Sequence, residues 1–139
     1  MRNPTIIGAA FAPLFISFAS IAQEPSTAKP PPPLLREIVQ GMPKGETQEV
    51  RVLTATLKPG EKTPFHTHRF PVTVYVLEGT FTLEIEGRAP VTAKAGQAIV
   101  EPPRVKMTGY NRSGTEPMRV VIFYVSDPDT PFLDPAHHR

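Results

Sequence analysis

The sequence predicts an all-β fold, a sandwich or barrel, on three observations. Short apolar stretches run with the two-residue period of half-buried strands. Turn signals built on Gly and Pro, with 9 Gly and 18 Pro in 139 residues, separate those stretches at even spacing. No segment sustains the 3.6-residue apolar period of an amphipathic helix, and no internal repeat appears.

Residues 1–22 read as a secretory signal peptide: Arg2 is a minimal charged start, 6–21 are apolar or small, and Ser20 and Ala22 supply the small residues before a cleavage point at Gln23. Export to the periplasm or beyond is the expected localisation. Residues 23–33, QEPSTAKPPPP, form a Pro-rich linker whose prolines hold the backbone extended without donating hydrogen bonds. The folded domain is expected over 34–127, followed by an extended tail over 128–139.

Within that domain, 34–39 suits a first strand at a sheet edge, and 41–45, with Pro43, a turn. Residues 49–57 alternate, with Val50, Val52, Thr54 and Thr56 on one face and Leu53, Ala55 and Leu57 on the other. Residues 72–77 are a continuous run rich in β-branched side chains, and 80–86 alternate strictly. Gly79 between them predicts a hairpin. Further strands are expected over 91–94, 97–101 and 118–125. The last of these carries large apolar residues on both faces, which in a chain this small predicts a homodimer covering one side.

The chemistry concentrates in GEKTPFHTHRFPVTVYVLEG, residues 60–79. His66 and His68 stand one residue apart on a strand-like run, so their imidazoles share a face and can converge on one ion. Five residues separate Gly60 from His66, and Gly79 closes the segment. A second segment, GQAIVEPPRVKMTGYN, runs from Gly96 through Pro102 to Asn111. In these spacings residues 60–125 resemble the cupin family. The resemblance implies a cupin-type jelly-roll β-barrel, or double-stranded β-helix, with a metal held by three His and one Glu.

The same resemblance places the family's metal-binding Glu at Val72, its second-motif His at Met107 and that motif's Gly at Arg104. The implied metal set is therefore His66, His68 and Met107. Two imidazoles with a thioether make a soft set, which favours a transition metal and copper in particular. Without a carboxylate it does not suit the iron of non-haem oxygenases. Glu61, Glu101, Tyr75, Tyr110, His137 and His138 are the side chains that can complete the set, with Glu61 and Glu101 expected as rim carboxylates and the two histidines as a frayed tail.

Arg69 and Arg104 flank the two ligand segments and suit an anionic group. Phe70, Val72 and Tyr75 supply apolar wall, and a small molecule is the partner this implies. Fifteen Lys and Arg against 13 Asp and Glu, scattered rather than clustered, give a net charge of +2. That leaves no electrostatic footprint for nucleic acid, and no membrane contact is expected once the leader is removed. The absence of Cys excludes a disulfide framework and a lipidated N-terminal cysteine. Three functions follow: an exported metal-binding protein, a metal-dependent enzyme of dioxygenase or isomerase type, and a metal-free ligand-binding or accessory protein.

Overall fold

The computed structural model describes residues 28–138. The chain divides into two units, Met1–Pro31 and Pro32–Arg139. The leader expected over 1–22 lies outside the described residues, and of the linker only residues 28–33 are described, all of them exposed and without regular structure.

Nine strands build the second unit: β1 Glu49–Leu57, β2 His66–Thr67, β3 Val72–Glu78, β4 Thr80–Ile85, β5 Val91–Lys94, β6 Ala98–Glu101, β7 Met107–Tyr110, β8 Met118–Ser126 and β9 Asp134–Pro135. They pair antiparallel in two sheets, one of order β1-β8-β3-β6 and one of order β5-β4-β7-β2-β9. No helix occurs among the described residues.

Period-two alternation decides what each strand buries. In the four-stranded sheet, Val72, Val74 and Val76 of β3 and Met118, Val120, Ile122 and Tyr124 of β8 face inward, with Leu53, Ala55 and Leu57 of β1 beside them. Phe81, Leu83, Ile85, Ala93 and Met107 face them from the five-stranded sheet. The core is the space between the two sheets.

Two expectations need correction. Residues 34–39 form no strand: Leu34 and Ile38 are exposed, and the segment finds no partner edge. β3 and β4 are not a hairpin, because β3 pairs with β6 and β8 whereas β4 pairs with β5 and β7. Gly79 is where the chain crosses between sheets. Its φ is +74°, and a Cβ there would stand 2.5 Å from the carbonyl oxygen of Pro117, so neither backbone nor space admits a side chain. Within the chain β8 alternates strictly in burial, with one face in the core and Phe123 exposed on the other, the face expected to meet a partner.

Asn111, which opens an Asn-Arg-Ser glycosylation pattern, is buried instead. Its Nδ2 donates to the carbonyls of Leu57 and Glu116 and its side-chain oxygen accepts from the Ser113 amide. It staples the β7–β8 loop to the end of β1.

Candidate metal centre

His66 opens β2, a strand of two residues wedged between β7 and β9, and His68 follows directly at its end. Proline shortens it on both sides, since Pro64 and Pro71 cannot donate to a ladder. The ends are pinned by the Arg104 amide donating to the His68 carbonyl at 2.7 Å and the Ala136 amide donating to the Phe65 carbonyl at 2.9 Å. Both imidazoles are buried, at 4% and 1% exposure.

Each ring is oriented by a backbone carbonyl. Nδ1 of His66 lies 2.6 Å from the Pro64 oxygen, and Nδ1 of His68 lies 2.6 Å from the Phe132 oxygen. A carbonyl oxygen only accepts, so both Nδ1 atoms carry their protons and both neutral rings present a bare Nε2. Those two Nε2 atoms face each other across 3.0 Å. Two lone pairs cannot hold that contact alone; a proton or a metal ion between them relieves it.

Glu101 supplies the third donor. It closes β6 just before Pro102, is 5% exposed, and places a carboxylate oxygen 3.0 Å from Nε2 of His68. Ligand atoms of His66, His68 and Glu101 all lie within 4.8 Å of one another. Donor separations near 3 Å match neighbouring ligands around one ion with bonds of about 2.1 Å. Two neutral imidazoles and one carboxylate carry a single negative charge, which a divalent cation complements. The three residues fit a metal.

The register shows where this carboxylate comes from. Val72, the position at which the resemblance expects a Glu, pairs directly with Glu101 on β6. Paired residues share a face with Cβ atoms about 4.5–5.5 Å apart, so the carboxylate has moved one strand sideways. Glu101 is not a rim residue. Sequence reasoning named it only as one of six candidates, and the signal that would have singled it out is its pairing with Val72.

Met107 pairs with His66 and is fully buried on the same inner face. It lies within the apolar cluster and is not among the residues lining the cavity beside the three donors. Val72 is likewise core, with no exposure. Phe70 is half-buried against that core. Tyr75 sits between Val74 and Val76, on the outward face of β3. Arg69 forks onto Asp134 at 2.9 and 3.0 Å, an exposed ion pair that holds the Asp134 carboxyl below its ordinary pKa. Arg104 is exposed and borders a different groove. The structure thus joins His66 and His68 to Glu101 and leaves the two arginines apart from that trio's cavity.

Burial pushes the pKa of His66 below its usual 6.5, outweighing the carbonyl of Pro64. A ring kept neutral at mildly acid pH stays available as a ligand. Burial also raises the pKa of Tyr124, whose ring stands 6.1 Å from that of His68, centre to centre.

The C-terminal segment, expected as a loose tail, closes over this end of the barrel. Arg51 donates to the Thr130 carbonyl at 2.7 Å, β9 pairs with β2, and His138 stacks on Phe65 at 4.1 Å. Phe132 and Leu133 wall a cavity of about 80 Å³ that His66, His68 and Glu101 border, together with Val74, Phe81 and Ile122. That is room for a few water-sized groups beside the donors.

Comparison with known proteins accords with this architecture. The Cupin domain family model matches residues 53–124. A cupin-like protein from Thermotoga maritima superposes with a TM-score of 0.54 at 19% identity, over 63% of this chain and 64% of that one. A conserved protein with a double-stranded β-helix domain from Klebsiella pneumoniae gives 0.55 at 20% identity, over 73% of this chain and 90% of that one. The DMSP lyase DddQ from Ruegeria pomeroyi gives 0.55 at 17% identity, over 73% and 59%. At such identities these likenesses speak for the fold alone. Comparison with curated protein sequences finds no match.

Proposed function

The chain belongs to the cupin domain family, and from that premise we propose that it binds a divalent transition metal through His66, His68 and Glu101. The observation that carries this reading is the trio of buried donors, with His68 Nε2 3.0 Å from both His66 Nε2 and a Glu101 oxygen and all three within 4.8 Å of one another. A carboxylate in the set shifts the preference from soft Cu(I) toward borderline ions such as Fe(II) or Zn(II). A preference for Cu(I) is expected only if the Met107 thioether joins.

A second reading, an enzyme, draws on the adjoining cavity. Three protein ligands leave positions open on most transition metals, and a metal there supplies a Lewis acid for an oxygen of a small molecule. The residues of the chain bind and enclose: Val74, Phe81, Ile122 and Phe132 exclude water, and the Phe132 carbonyl holds the His68 ring. A substrate of dioxygenase or isomerase type must then be small and largely apolar.

Elemental analysis of the purified protein, with His66→Ala, His68→Ala and Glu101→Gln alongside, tests the reading. One equivalent of metal is expected in the parent and little in each variant. No metal in the parent, even after titration with Zn(II), Fe(II) and copper, leaves the metal-free alternative in place.

We propose further that the protein is exported through residues 1–22 and works as a homodimer. N-terminal sequencing of the secreted form should begin at Gln23.

A further inference from the structure

Apart from the cavity beside the donors, a groove of about 710 Å³ lies where the barrel is not hydrogen-bonded shut. β6 is one free edge of its sheet and β5 one free edge of the other. Ile99 and Val100 line the groove from β6, Val91 from β5 and Ile85 from the end of β4, while Leu35 and residues 37–41 form a further wall. Ile38 is 98% exposed on this wall, an apolar side chain with no cover.

Two guanidiniums, Arg88 and Arg104, line the same groove. Arg88 belongs to the turn after β4, where its amide closes onto the Ile85 carbonyl at 3.0 Å. Arg104 follows Pro102-Pro103 and holds a left-handed backbone, φ +61°, which costs an ordinary residue energy and suits Gly or Asn. Neither guanidinium joins an ion pair among the described residues. A single carboxylate, Glu37, lines the groove as well, which leaves one net positive charge within apolar walls.

We propose that this groove is a binding site for an amphipathic monoanion, an alkyl or aryl carboxylate or sulfonate. Its apolar body lies between the two sheet edges, and its head is held by the forked donors of Arg88 and Arg104. The volume is in the range of drug-sized ligand sites, whereas the cavity beside His66 and His68 holds only a few atoms. The proposal does not depend on the metal reading.

The test uses the full chain and two probes, 1-anilinonaphthalene-8-sulfonate followed by fluorescence, and decanoate as its competitor. One equivalent of the dye is expected to bind, and decanoate should displace it at least about tenfold more effectively than decanol, the loss expected for a missing charge-assisted pair. Arg88→Gln and Arg104→Asn should each weaken decanoate binding by roughly tenfold. Asn tolerates the left-handed backbone, so that variant keeps the fold. Glu37→Gln should tighten binding by removing the opposing charge, while Glu101→Gln should leave it unchanged.

Dye binding indifferent to both arginines overturns the proposal. So does dye binding lost in Glu101→Gln, which would put the ligand in the donor cavity instead. Dye binding that appears only on dilution to monomer would assign the groove to a second copy of the chain, and also ends it.

Discussion

The proton on a ring nitrogen is the smallest feature on which the proposed metal site depends. Pro64 and Phe132 accept from the two Nδ1 atoms, so Nε2 of each ring is free, and Glu101 adds an oxygen beside them. Removing that oxygen while keeping the amide shape, in Glu101→Gln, should lower metal affinity by more than the roughly 10–100-fold typical of an outer-shell change; competition against a chelating dye measures it. Met107 offers a sharper division. Met107→Leu conserves volume and should cost less than about 1.5 kcal/mol of stability with affinity unchanged if the thioether only packs. A fall in copper affinity without a comparable loss of stability would make it a ligand. His66 gives a pH signature in the metal-free protein. Its pKa is lowered in the fold, so above the ordinary 6.5 both states are neutral and it contributes no pH dependence. Below 6.5 the unfolded chain takes up a proton that the folded chain refuses, so stability falls with acidification until the folded value is passed. The slope is at most about 1.4 kcal/mol per pH unit. Urea midpoints between pH 7.5 and 5.5 should show this in the parent and not in His66→Ala; a midpoint rising on acidification would mean that the ring is charged inside the fold.

At the scale of the element, strands were far easier to read than their partners. The alternation of 49–57 and 80–86 names which side chains turn inward, because period two is local. Pairing is not local, and that is where the reading of the sequence went astray. Gly79 between two apolar runs looks like a hairpin turn, yet the chain uses its positive φ to pass from one sheet to the other. Glu101 before a Pro-Pro stop looks like a rim residue until β6 is laid beside β3 and it falls opposite Val72. The tail from Asp127, rich in Pro, carries no pattern that announces it as the cover of the metal end. That cover makes its own prediction. Deleting residues 127–139 removes the Phe132 carbonyl from His68, the Asp134 partner of Arg69 and two walls of the cavity. Metal affinity should drop about 10–100-fold, as when an orienting outer partner is lost, while far-ultraviolet circular dichroism keeps its β signal. An affinity unchanged by the deletion would show that the ring orientation is set elsewhere.

Across the whole molecule the unexplained surface is the outer face of the four-stranded sheet. A sheet in a small barrel ordinarily turns polar residues outward, as β4 does with Thr80 and Glu84. β1 and β8 instead expose Val50, Val52 and Phe123, at 69%, 61% and 44%, and Val52 pairs with Phe123 so that the two lie side by side. Tyr75, Val121 and Val125 share that face, half-buried. Contiguous apolar surface of this kind is costly to leave in water, and a second copy of the same sheet presents the self-complementary partner that a two-fold interface requires. This is the face on which we propose the homodimer forms, and a stable one needs about 800 Å² from each chain. A charge placed at its centre decides the matter. Phe123→Lys should convert a dimer to a monomer in sedimentation equilibrium without loss of thermal stability in the isolated chain, because the substituted side chain points away from the core. If the parent sediments as a monomer at micromolar concentration, the outward valines cover nothing of their own kind. If instead Phe123→Lys remains dimeric, the two-fold lies elsewhere, and the free edges of β5 and β6 become the next surfaces to block.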